Sequence, residues 1–516
     1  MEVARTMQKE RTASSRLEDA EKAQEEGLQR IRPEERPLFH LTPPVGWMND
    51  PNGFSFYQGK FHLFFQYNPY STSWDTMHWG HAVSCDLLDW DYLPPALAPD
   101  RPCDEGGCFS GCAAELPDGR MALLYTGLMK PRDPAAEPAG GEFLQVQCLA
   151  VGDGIRFQKC GDDPVIGPDM VPDGISRSDF RDPKILRLQD GTYLALVSGK
   201  DRSGYGRILM YRSRDCLSWE YWKPLACNDG RSGKQYGTMW ECPDFFELDG
   251  RWVLLISPME MLPEEGRYPN GHACVALIGD FDERTGTFRW EEDQPVDCGI
   301  DFYAAQTVLS PDGRRILVGW MQNWATIGMH REDLLWAGQM SLPRELFFRA
   351  GHLCQRPVRE LALRYVDEVY YKKVPVAGEV SLYGVEGRTI DLETAVSPVP
   401  GEEIFRWFCL RFAMDGDCHT DVFFYPWEDK VRIDRHSAGS RQALVHERTC
   451  RIAAGRKGHI RMRLILDRFS FELFINDGES VMTAVIYTDL TAEKICFLAD
   501  GRAFMDVTKR SLRSGS

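Results

Sequence analysis

A turn signal that ends in glycine recurs five times along the chain, and an apolar segment follows each copy. The glycines of these turns are Gly59, Gly119, Gly191, Gly250 and Gly313. They lie 60, 72, 59 and 63 residues apart, a length that fits four short antiparallel strands with their connections. Because a single four-stranded unit cannot bury its own faces, five such repeats predict a five-bladed β-propeller.

The residues nine positions before these glycines carry the strongest functional signal. They are Asp50, Ser110, Asp182, Glu241 and Ala304, so three of the five are carboxylic acids. In a propeller the first strand of each blade lines the central channel, and equivalent positions meet around its mouth. We therefore expect the three acids to converge. Each acid alone is equally compatible with a turn or a solvated charge, but the shared register favours a common site.

Clustered carboxylates suit glycoside cleavage. Their mutual repulsion separates their pKa values, so that one acid can hold a proton while another stays ionised. A glycosidase uses one such group to protonate the leaving oxygen and another to attack or stabilise the sugar centre. Side chains near the motifs offer apolar faces and hydrogen bonds to a sugar ring, although the aromatic ones would equally fit a core. The apolar candidates are Trp47, Trp74, Phe109, Trp240 and Trp320, and the polar ones are Asn49, Gln66, Ser110, Arg181 and Tyr303.

The chain divides into four predicted segments. Residues 1–38 form a helical extension, because residues 9–29 are rich in Glu, Lys, Arg and Ala and predict an exposed helix. Residues 39–350 form the propeller, 351–368 a linker and 369–516 a second domain. In the second domain, alternating apolar and polar residues and the hairpin signal Asn476-Asp477-Gly478 predict an antiparallel β-sandwich. The predicted fold class is thus all-β, a five-bladed β-propeller followed by a C-terminal antiparallel β-sandwich.

Charge and hydropathy exclude several classes of protein. A net charge of −17 argues against nucleic acid or anionic lipid as the main partner. No apolar run approaches the ~20 residues of a membrane span. The first residues, 1–32, are charged throughout and lack the apolar middle of a secretory signal, so we expect a cytoplasmic location.

The cysteines give a consistent expectation. The chain has 16 of them and no Cys-x-x-Cys pair, which favours free thiols in a reducing compartment over a disulfide framework. The tightest group is Cys103, Cys108 and Cys112. No fourth ligand follows at zinc-finger spacing, so we interpret the three as small buried side chains. We expect no metal, and the sequence leaves the oligomeric state open.

Together, the motifs of the chain resemble those of glycoside hydrolase family 32, the β-fructosidases. The resemblance spans nearly the whole chain and is specific because many motifs match in order. The segments that carry it are WMNDPNG (47–53), FQYNP (65–69), HWGHAVS (78–84), FSG (109–111), FRDP (180–183), ECPD (241–244), DFYAAQ (301–306) and, in the second domain, ExFxNDG (472–478).

The resemblance implies a role for each matching residue. Asp50 would be the nucleophile that forms a covalent fructosyl-enzyme, Glu241 the general acid and then base, and Asp182 the stabiliser that holds ring hydroxyls. Cys242 would lie behind the acid and tune it, and no cofactor or metal would be required. Two positions depart from the usual pattern, with Asp75 in place of Gly and Cys112 in place of Ser. The implied fructose subsite is lined by Asn49, Gln66, Trp74, Phe109, Ser110, Arg181 and Tyr303.

The leading hypothesis is a retaining hydrolase of terminal non-reducing β-D-fructofuranosides that acts on sucrose or sucrose 6-phosphate. The alternatives are a fructan or fructooligosaccharide exo-hydrolase, a fructosyltransferase, an inverting propeller glycosidase such as those of family 43, and a non-catalytic sugar-binding propeller. Recognition of a phosphate would need basic side chains beside the mouth. The loop residues available for that are Lys130, Arg132, Arg202, Arg207, Arg231, Lys234 and Arg331.

Overall fold

The computed structural model describes residues 15–131, 143–228, 236–269, 271–439, 443–453 and 457–513. In these residues the chain forms five antiparallel blades followed by a C-terminal antiparallel β-sandwich, which confirms the predicted fold class. Arg132, Arg231 and Lys234 lie outside the described residues.

Each blade is an antiparallel sheet whose first strand is innermost. The inner strands contact one another in a closed ring. Blade one gains a short fifth strand that pairs in parallel with its inner strand, so that the end of the repeat closes on its start. The strands are β1 (Gly46–Tyr57), β2 (Lys60–Asn68), β3 (His78–Ser84) and β4 (Asp91–Leu97) in blade one; β5 (Cys108–Glu115), β6 (Met121–Met129), β7 (Leu144–Gly152) and β8 (Phe157–Lys159) in blade two; β9 (Ile175–Arg187), β10 (Tyr193–Asp201), β11 (Gly206–Ser213) and β12 (Glu220–Cys227) in blade three; β13 (Trp240–Leu248), β14 (Arg251–Pro258), β15 (Val275–Asp282) and β16 (Thr287–Pro295) in blade four; β17 (Tyr303–Leu309) and β18 (Arg315–Trp320), then the added strand β19 (Trp336–Ala337), and β20 (Arg344–Arg349) and β21 (His352–Pro357) in blade five.

The turn glycines all adopt one conformation. Gly59, Gly119, Gly191, Gly250 and Gly313 have φ values of 82°, 83°, 83°, 80° and 82°. This is the left-handed region, which glycine occupies without strain. The recurrence of glycine in the sequence therefore reflects one backbone requirement repeated at the end of each inner strand.

A β-bulge interrupts every inner strand at the register of the three acids. The irregularities fall between Met48 and Pro51, Phe109 and Gly111, Arg181 and Lys184, Glu241 and Asp244, and Tyr303 and Gln306. A bulge bends the strand and re-aims the side chains beside it. The same distortion therefore recurs in all five blades near the channel mouth, the end at which the inner strands start.

The second domain forms around one long strand. The first part of β31 (Lys494–Leu512) pairs with β24, and its last part pairs with β23. It therefore joins two layers, whose side chains meet in a common apolar core, for example at Phe412 and Phe471, with ring centroids 5.0 Å apart. The other strands are β22 (Tyr365–Val380), β23 (Ile390–Pro398), β24 (Trp407–Asp415), β25 (Cys418–Tyr425), β26 (Lys430–Asp434), β27 (Glu447–Arg451), β28 (Ile460–Asp467), β29 (Ser470–Ile475) and β30 (Ser480–Val485).

The connection between the domains is shorter than the segment 351–368 that the sequence assigns to a linker. Strand β21 ends at Pro357 within that segment, and β22 begins in it at Tyr365. A 3₁₀ helix, Arg359–Arg364, lies between them. The six residues of β21 are too few to show a clear alternation, and they end in proline, which is a poor strand residue.

The N-terminal helix α1 (Ser15–Leu28) packs against blade one. Its buried residues Ala20, Gln24 and Gly27 follow helical spacing, and Gln24 donates a hydrogen bond of 2.9 Å to the Leu93 carbonyl of β4. The composition predicted an exposed helix, but one face of the observed helix is buried. Among the described residues no helix has the length and hydropathy needed to cross a membrane. All sixteen cysteines are free, and Cys103, Cys108 and Cys112 are buried.

A buried charge network joins the propeller to the sandwich. His40 Nδ1 lies 2.8 Å from Asp467, and its Nε2 lies 2.9 Å from Glu472. Glu472 also pairs with Arg344 of β20 at 2.6 Å. Burial lowers the pKa of His40, but the hydrogen bonds and charges of the two carboxylates outweigh it and raise this pKa to about 9. His40 is thus a buried cation at neutral pH.

Candidate active site

The structure brings Asp50, Asp182 and Glu241 together in one pit at the channel mouth. Their strands, β1, β9 and β13, belong to blades one, three and four. The Cys242 thiol bridges two of them, at 3.6 Å from Asp50 Oδ2 and 3.8 Å from Asp182 Oδ2. Arg181, the residue before Asp182, donates from Nε to Glu241 at 3.0 Å. Arg181 also lies 3.9 Å from Asp182 Oδ2. Asp182 is thus linked to Asp50 through Cys242 and to Glu241 through Arg181.

The two carboxylate oxygens of Asp50 differ in their hydrogen bonds. Ser110 donates a hydrogen bond of 2.8 Å to its Oδ2. Its Oδ1 is buried and accepts no hydrogen bond of normal geometry from the described residues. Burial and the nearby charge of Glu241 raise the pKa of Asp50 to about 6. This unpaired oxygen is the one that no hydrogen bond from the described part of the chain holds, and it is therefore the candidate nucleophile.

Hydrogen bonds to its amide and to its carboxylate hold Asp182 in a strained conformation. Its φ is 61°, a region that residues other than glycine rarely adopt. Thr126 accepts a hydrogen bond of 2.9 Å from its amide, and the Cys242 amide donates one of 3.1 Å to its Oδ2. Burial raises the pKa of Asp182 to about 7; Arg181 opposes this rise, while Glu241 and Asp50 add to it.

Glu241 has a neighbour that accommodates either protonation state. The Tyr303 hydroxyl lies 2.7 Å from Glu241 Oε2 and 2.8 Å from the Ser257 carbonyl oxygen. A hydroxyl has a single proton, and a carbonyl oxygen can only accept. When Tyr303 donates to Ser257, a hydrogen bond between Tyr303 and Glu241 requires Glu241 to carry the proton. When Glu241 is ionised, Tyr303 can donate to it instead.

Arg181 extends the charge network away from the pit. Its Nη1 lies 3.7 Å from Asp179 and donates to Gln145 at 3.3 Å. Asp179 in turn pairs with Lys200 at 3.1 Å. The guanidinium is buried, yet the charges of Glu241, Asp182 and Asp179 keep its pKa above the usual arginine value. Arg181 is therefore a fixed cation beside Glu241.

Aromatic side chains form one wall of the pit. Trp47 and Trp320 are buried and meet edge to face, with ring centroids 6.0 Å apart. Trp74 is 43% exposed and lies at the rim, 6.0 Å from Phe109 and 6.1 Å from Trp324 by ring centroids. Such a wall can offer an apolar face to a sugar ring.

Most of the remaining predicted residues also lie here. Asn49 accepts a hydrogen bond of 2.9 Å from Trp47 Nε1, and Gln66 donates one of 3.1 Å to the Cys108 carbonyl. Cys242 differs from the expectation, because its thiol faces Asp50 and Asp182 and not Glu241. Burial and the neighbouring carboxylates keep its pKa well above that of a free thiol, so it acts as a neutral donor.

Three residues that the sequence brought to attention lie elsewhere or at the margin. Trp240 packs into the core between blades three and four, and its Nε1 donates to the Tyr236 carbonyl at 2.7 Å. The Cys112 thiol is buried and accepts a hydrogen bond of 3.1 Å from the Ile185 amide. Asp75 is exposed and accepts one of 2.8 Å from the amide of Thr76.

The sequence did not single out Gln145, Asp179, Ser257 or Trp324. Gln145 lies on β7, the third strand of blade two, and Ser257 lies on β14, the second strand of blade four. The register argument applies only to the inner strands, so it could not reach either residue. Trp324 lies in the connection after β18, and its contacts with Trp74 and Trp320 arise from closure of the ring. Asp179 is the exception, since its position two residues before Arg181 in the FRDP segment was a usable signal.

Metal-ligand spacing occurs away from the pit. In the described ranges the group with that spacing is Asp434, His436 and Glu447, on the edge of the sandwich. Two of the three are exposed, and Arg432 lies 3.4 Å from Glu447. Arg432 therefore already compensates the carboxylates of this group, and we assign the group no role.

Family models and similar proteins of known name point to one family. Residues 40–357 match the N-terminal domain of glycosyl hydrolases family 32, and residues 367–512 match its C-terminal domain. A raffinose invertase of Escherichia coli is 35% identical over 90% of this chain and 92% of its own length. A sucrose-6-phosphate hydrolase of Escherichia coli is 36% identical over 87% of this chain and 89% of its own.

Solved structures give the same family. A family 32 β-fructofuranosidase of Bombyx mori, solved in complex with sucrose, is 32% identical, with a TM-score of 0.80 over 98% of this chain and 99% of that one. A sucrose-6-phosphate hydrolase of Lactobacillus gasseri is 26% identical, with a TM-score of 0.81 over 96% of both chains. The resemblance of the motifs is thereby confirmed: the chain belongs to glycosyl hydrolase family 32.

Proposed function

We propose that the protein is a retaining β-fructofuranosidase that cleaves terminal fructosyl groups from small fructosides. The observation that carries this proposal is the pit in which three acids of one register meet. Within it, Asp50 Oδ1 accepts no hydrogen bond from the residues that the structure describes, and Glu241 lies beside the Tyr303 hydroxyl, which can pair with either of its protonation states. The sucrose bound to the Bombyx mori enzyme and the names of the bacterial relatives support a sucrose-type substrate.

In the first step, Asp50 Oδ1 attacks the anomeric carbon of the fructosyl group. The bond from that carbon to the glycosidic oxygen breaks, and Glu241 gives its proton to the departing oxygen. Tyr303 can then turn its hydroxyl proton from the Ser257 carbonyl to the ionised Glu241. Asp182 accepts hydrogen bonds from the ring hydroxyls, and the Ser110 hydroxyl and Cys242 thiol keep the other oxygen of Asp50 in place.

In the second step, a water molecule enters where the leaving sugar was. Glu241 takes its proton, the water oxygen bonds to the anomeric carbon, and the ester bond to Asp50 breaks. Two inversions give net retention. If a sugar hydroxyl takes the place of water, the same intermediate gives fructosyl transfer, which product analysis at high sucrose would detect.

The experiment that tests this proposal follows the anomer of fructose released first, by NMR, with sucrose as substrate. We expect the β-anomer; release of α-fructose would indicate an inverting enzyme and remove the covalent step. Asp50→Asn should abolish turnover with the fold intact. Glu241→Gln should cost about 10²- to 10⁴-fold with sucrose and much less with a donor whose leaving group needs no proton.

A cytoplasmic location is part of the proposal. It is supported by the sixteen free thiols, which a reducing compartment maintains. We propose no metal or cofactor, since the proposed steps use only the side chains of the pit. Cell fractionation with an antibody against the protein would test the location.

A further inference from the structure

The rim of blade three carries four basic side chains, Arg177, Lys200, Arg202 and Arg207. Ile175, at the start of β9, pairs in register with Asp201, at the end of β10. The turn that follows β10 therefore lies at the mouth end of the blade, beyond Asp182. Arg202 stands in this turn, and Arg177 stands on the adjoining part of β9.

Two of the four charges are compensated and two are open. Lys200 pairs with Asp179 at 3.1 Å, and Arg207 donates to Asp201 at 3.0 Å. Arg177 and Arg202 are exposed, and neither has an ion-pair partner in the part of the chain that the structure describes. In a chain with a net charge of −17, two uncompensated guanidinium groups on one rim indicate a surface that attracts an anion.

The turn that carries Arg202 is fixed relative to the strand of Arg177. The Arg202 amide donates to the Gly174 carbonyl at 3.0 Å, and Gly204 and Asp201 close the turn with a hydrogen bond of 2.9 Å. These hydrogen bonds leave the backbone of the turn little freedom. A guanidinium group carried on a fixed backbone binds an anion at a lower entropic cost than one carried on a mobile loop.

A line of charged groups connects this rim to the proposed acid. The leaving oxygen must lie beside the proposed acid, Glu241, which accepts a hydrogen bond from Arg181 at 3.0 Å. Asp179 lies 3.7 Å from Arg181, and Lys200 lies 3.1 Å from Asp179. A continuous line of charged groups therefore leads from Glu241 to the rim. A departing sugar that projects from Glu241 toward the mouth passes along it.

We propose that Arg177 and Arg202, with Lys200 beside them, bind a phosphate group on the departing sugar. The preferred substrate is then a fructoside phosphorylated on its leaving group, such as sucrose 6-phosphate. This inference rests on the proposed function. Guanidinium groups suit the role because their paired N–H donors match the oxygens of a phosphate and stay charged at any physiological pH.

Two of the other basic candidates, Lys130 and Arg331, lie in the described part of the chain and are engaged. Lys130 lies 3.6 Å from Glu105, and Arg331 donates to Asp333 at 2.8 Å. Their charges are balanced locally, so they add little attraction for a phosphate. Among the residues that the structure describes, the two open guanidinium groups of blade three are therefore the ones to test.

The test compares kcat/KM for sucrose 6-phosphate and for sucrose in four proteins. These are the wild type, Arg177→Gln, Arg202→Gln and the double variant. Arg214→Gln is the matched control, because Arg214 is an exposed arginine of the same blade that pairs with Asp190 at its opposite end, at 3.6 Å. It removes the same charge from the same blade without touching the rim.

We expect the wild type to favour sucrose 6-phosphate. Each single variant should lose roughly 10-fold, and the double variant up to about 100-fold, in kcat/KM for the phosphorylated substrate, as loss of a hydrogen bond to a charged group predicts. The loss should appear mainly in KM. Activity on sucrose should stay within about twofold, and the control should change neither activity.

Three results would overturn the phosphate site while leaving the proposed function in place. They are a wild type with no preference for the phosphorylated sugar, a double variant whose ratio of the two kcat/KM values equals that of the wild type, and a double variant that loses both activities equally. A wild-type protein that cleaves neither sugar would instead refute the proposed function itself.

Discussion

Replacing Asp50 by Asn should stabilise the protein at neutral pH. Burial and the charge of Glu241 raise the pKa of Asp50 from its ordinary value of 3.8 to about 6 in the folded protein. At about 1.4 kcal/mol per pKa unit, ionising this carboxyl in the folded state costs about 3 kcal/mol relative to the unfolded chain. Asparagine has nearly the same shape, can still accept from Ser110, and carries no charge.

The sign of the pH dependence follows from the raised pKa. Between pH 3.8 and 6 the folded state holds a proton that the unfolded state has released, so stability from this group falls as pH rises. The advantage of Asp50→Asn should therefore be about 1 kcal/mol at pH 4.5, grow through pH 5 and 6, and level off near 3 kcal/mol at pH 7 and above.

Urea denaturation of wild type and Asp50→Asn at pH 4.5, 6 and 8 measures this directly. Asp173→Asn is the matched control: Asp173 is exposed near the mouth, so its replacement removes the same charge without relieving burial. Its effect should stay within about 0.5 kcal/mol at each pH. An Asp50→Asn variant that is no more stable than wild type at pH 8, or whose gain is the same at all three pH values, would refute the argument that repulsion and burial strain the acid cluster.

Three further predictions follow from named contacts. On the acid side, kcat/KM for sucrose should fall between about pH 7 and 5, because protonation of Asp50, with a pKa of about 6, removes the nucleophile, and protonation of Asp182, with a pKa of about 7, removes an acceptor for the ring hydroxyls; a pH–rate profile flat down to pH 5 would contradict this. Tyr303→Phe should lower kcat for sucrose roughly 10- to 100-fold and act less on a donor with a good leaving group, whereas an equal loss on both donors would point to damage of the pit. His40→Gln should destabilise the protein by about 3–5 kcal/mol at pH 6 in urea titrations, because it leaves Asp467 and Glu472 without their cation; since the pKa of His40 is raised to about 9, the wild-type advantage should be full below pH 6.5 and shrink as pH rises through 9.

The sequence predicts the frame of the site well because the frame repeats. The turn glycines mark the ends of five inner strands, and counting back from them reaches the register at which Asp50, Asp182 and Glu241 converge. The prediction works because backbone conformation at Gly59 and its four counterparts is a local property that glycine alone satisfies without strain.

What the sequence could not supply are the contacts between blades. Trp240 precedes Glu241 and shares its motif, yet its ring turns into the core beside Tyr236, because neighbouring side chains on a strand point to opposite faces. The pairing of Tyr303 with both Glu241 and Ser257 depends on how blades four and five are set against each other. No local pattern encodes that placement.

The two positions of the register that are not acidic explain why the cluster can exist. A fourth and fifth carboxylate around the same pit would add to the repulsion that already raises the pKa values of Asp50 and Asp182. At one of these positions Ser110 instead supplies a donor that holds Asp50. At the other, Ala304 is fully buried against the aromatic wall, where a larger or charged side chain would displace Trp47 or Trp320. The same bulge thus serves five blades, and only the side chain it presents decides whether a blade contributes charge, a hydrogen bond or space for the sugar.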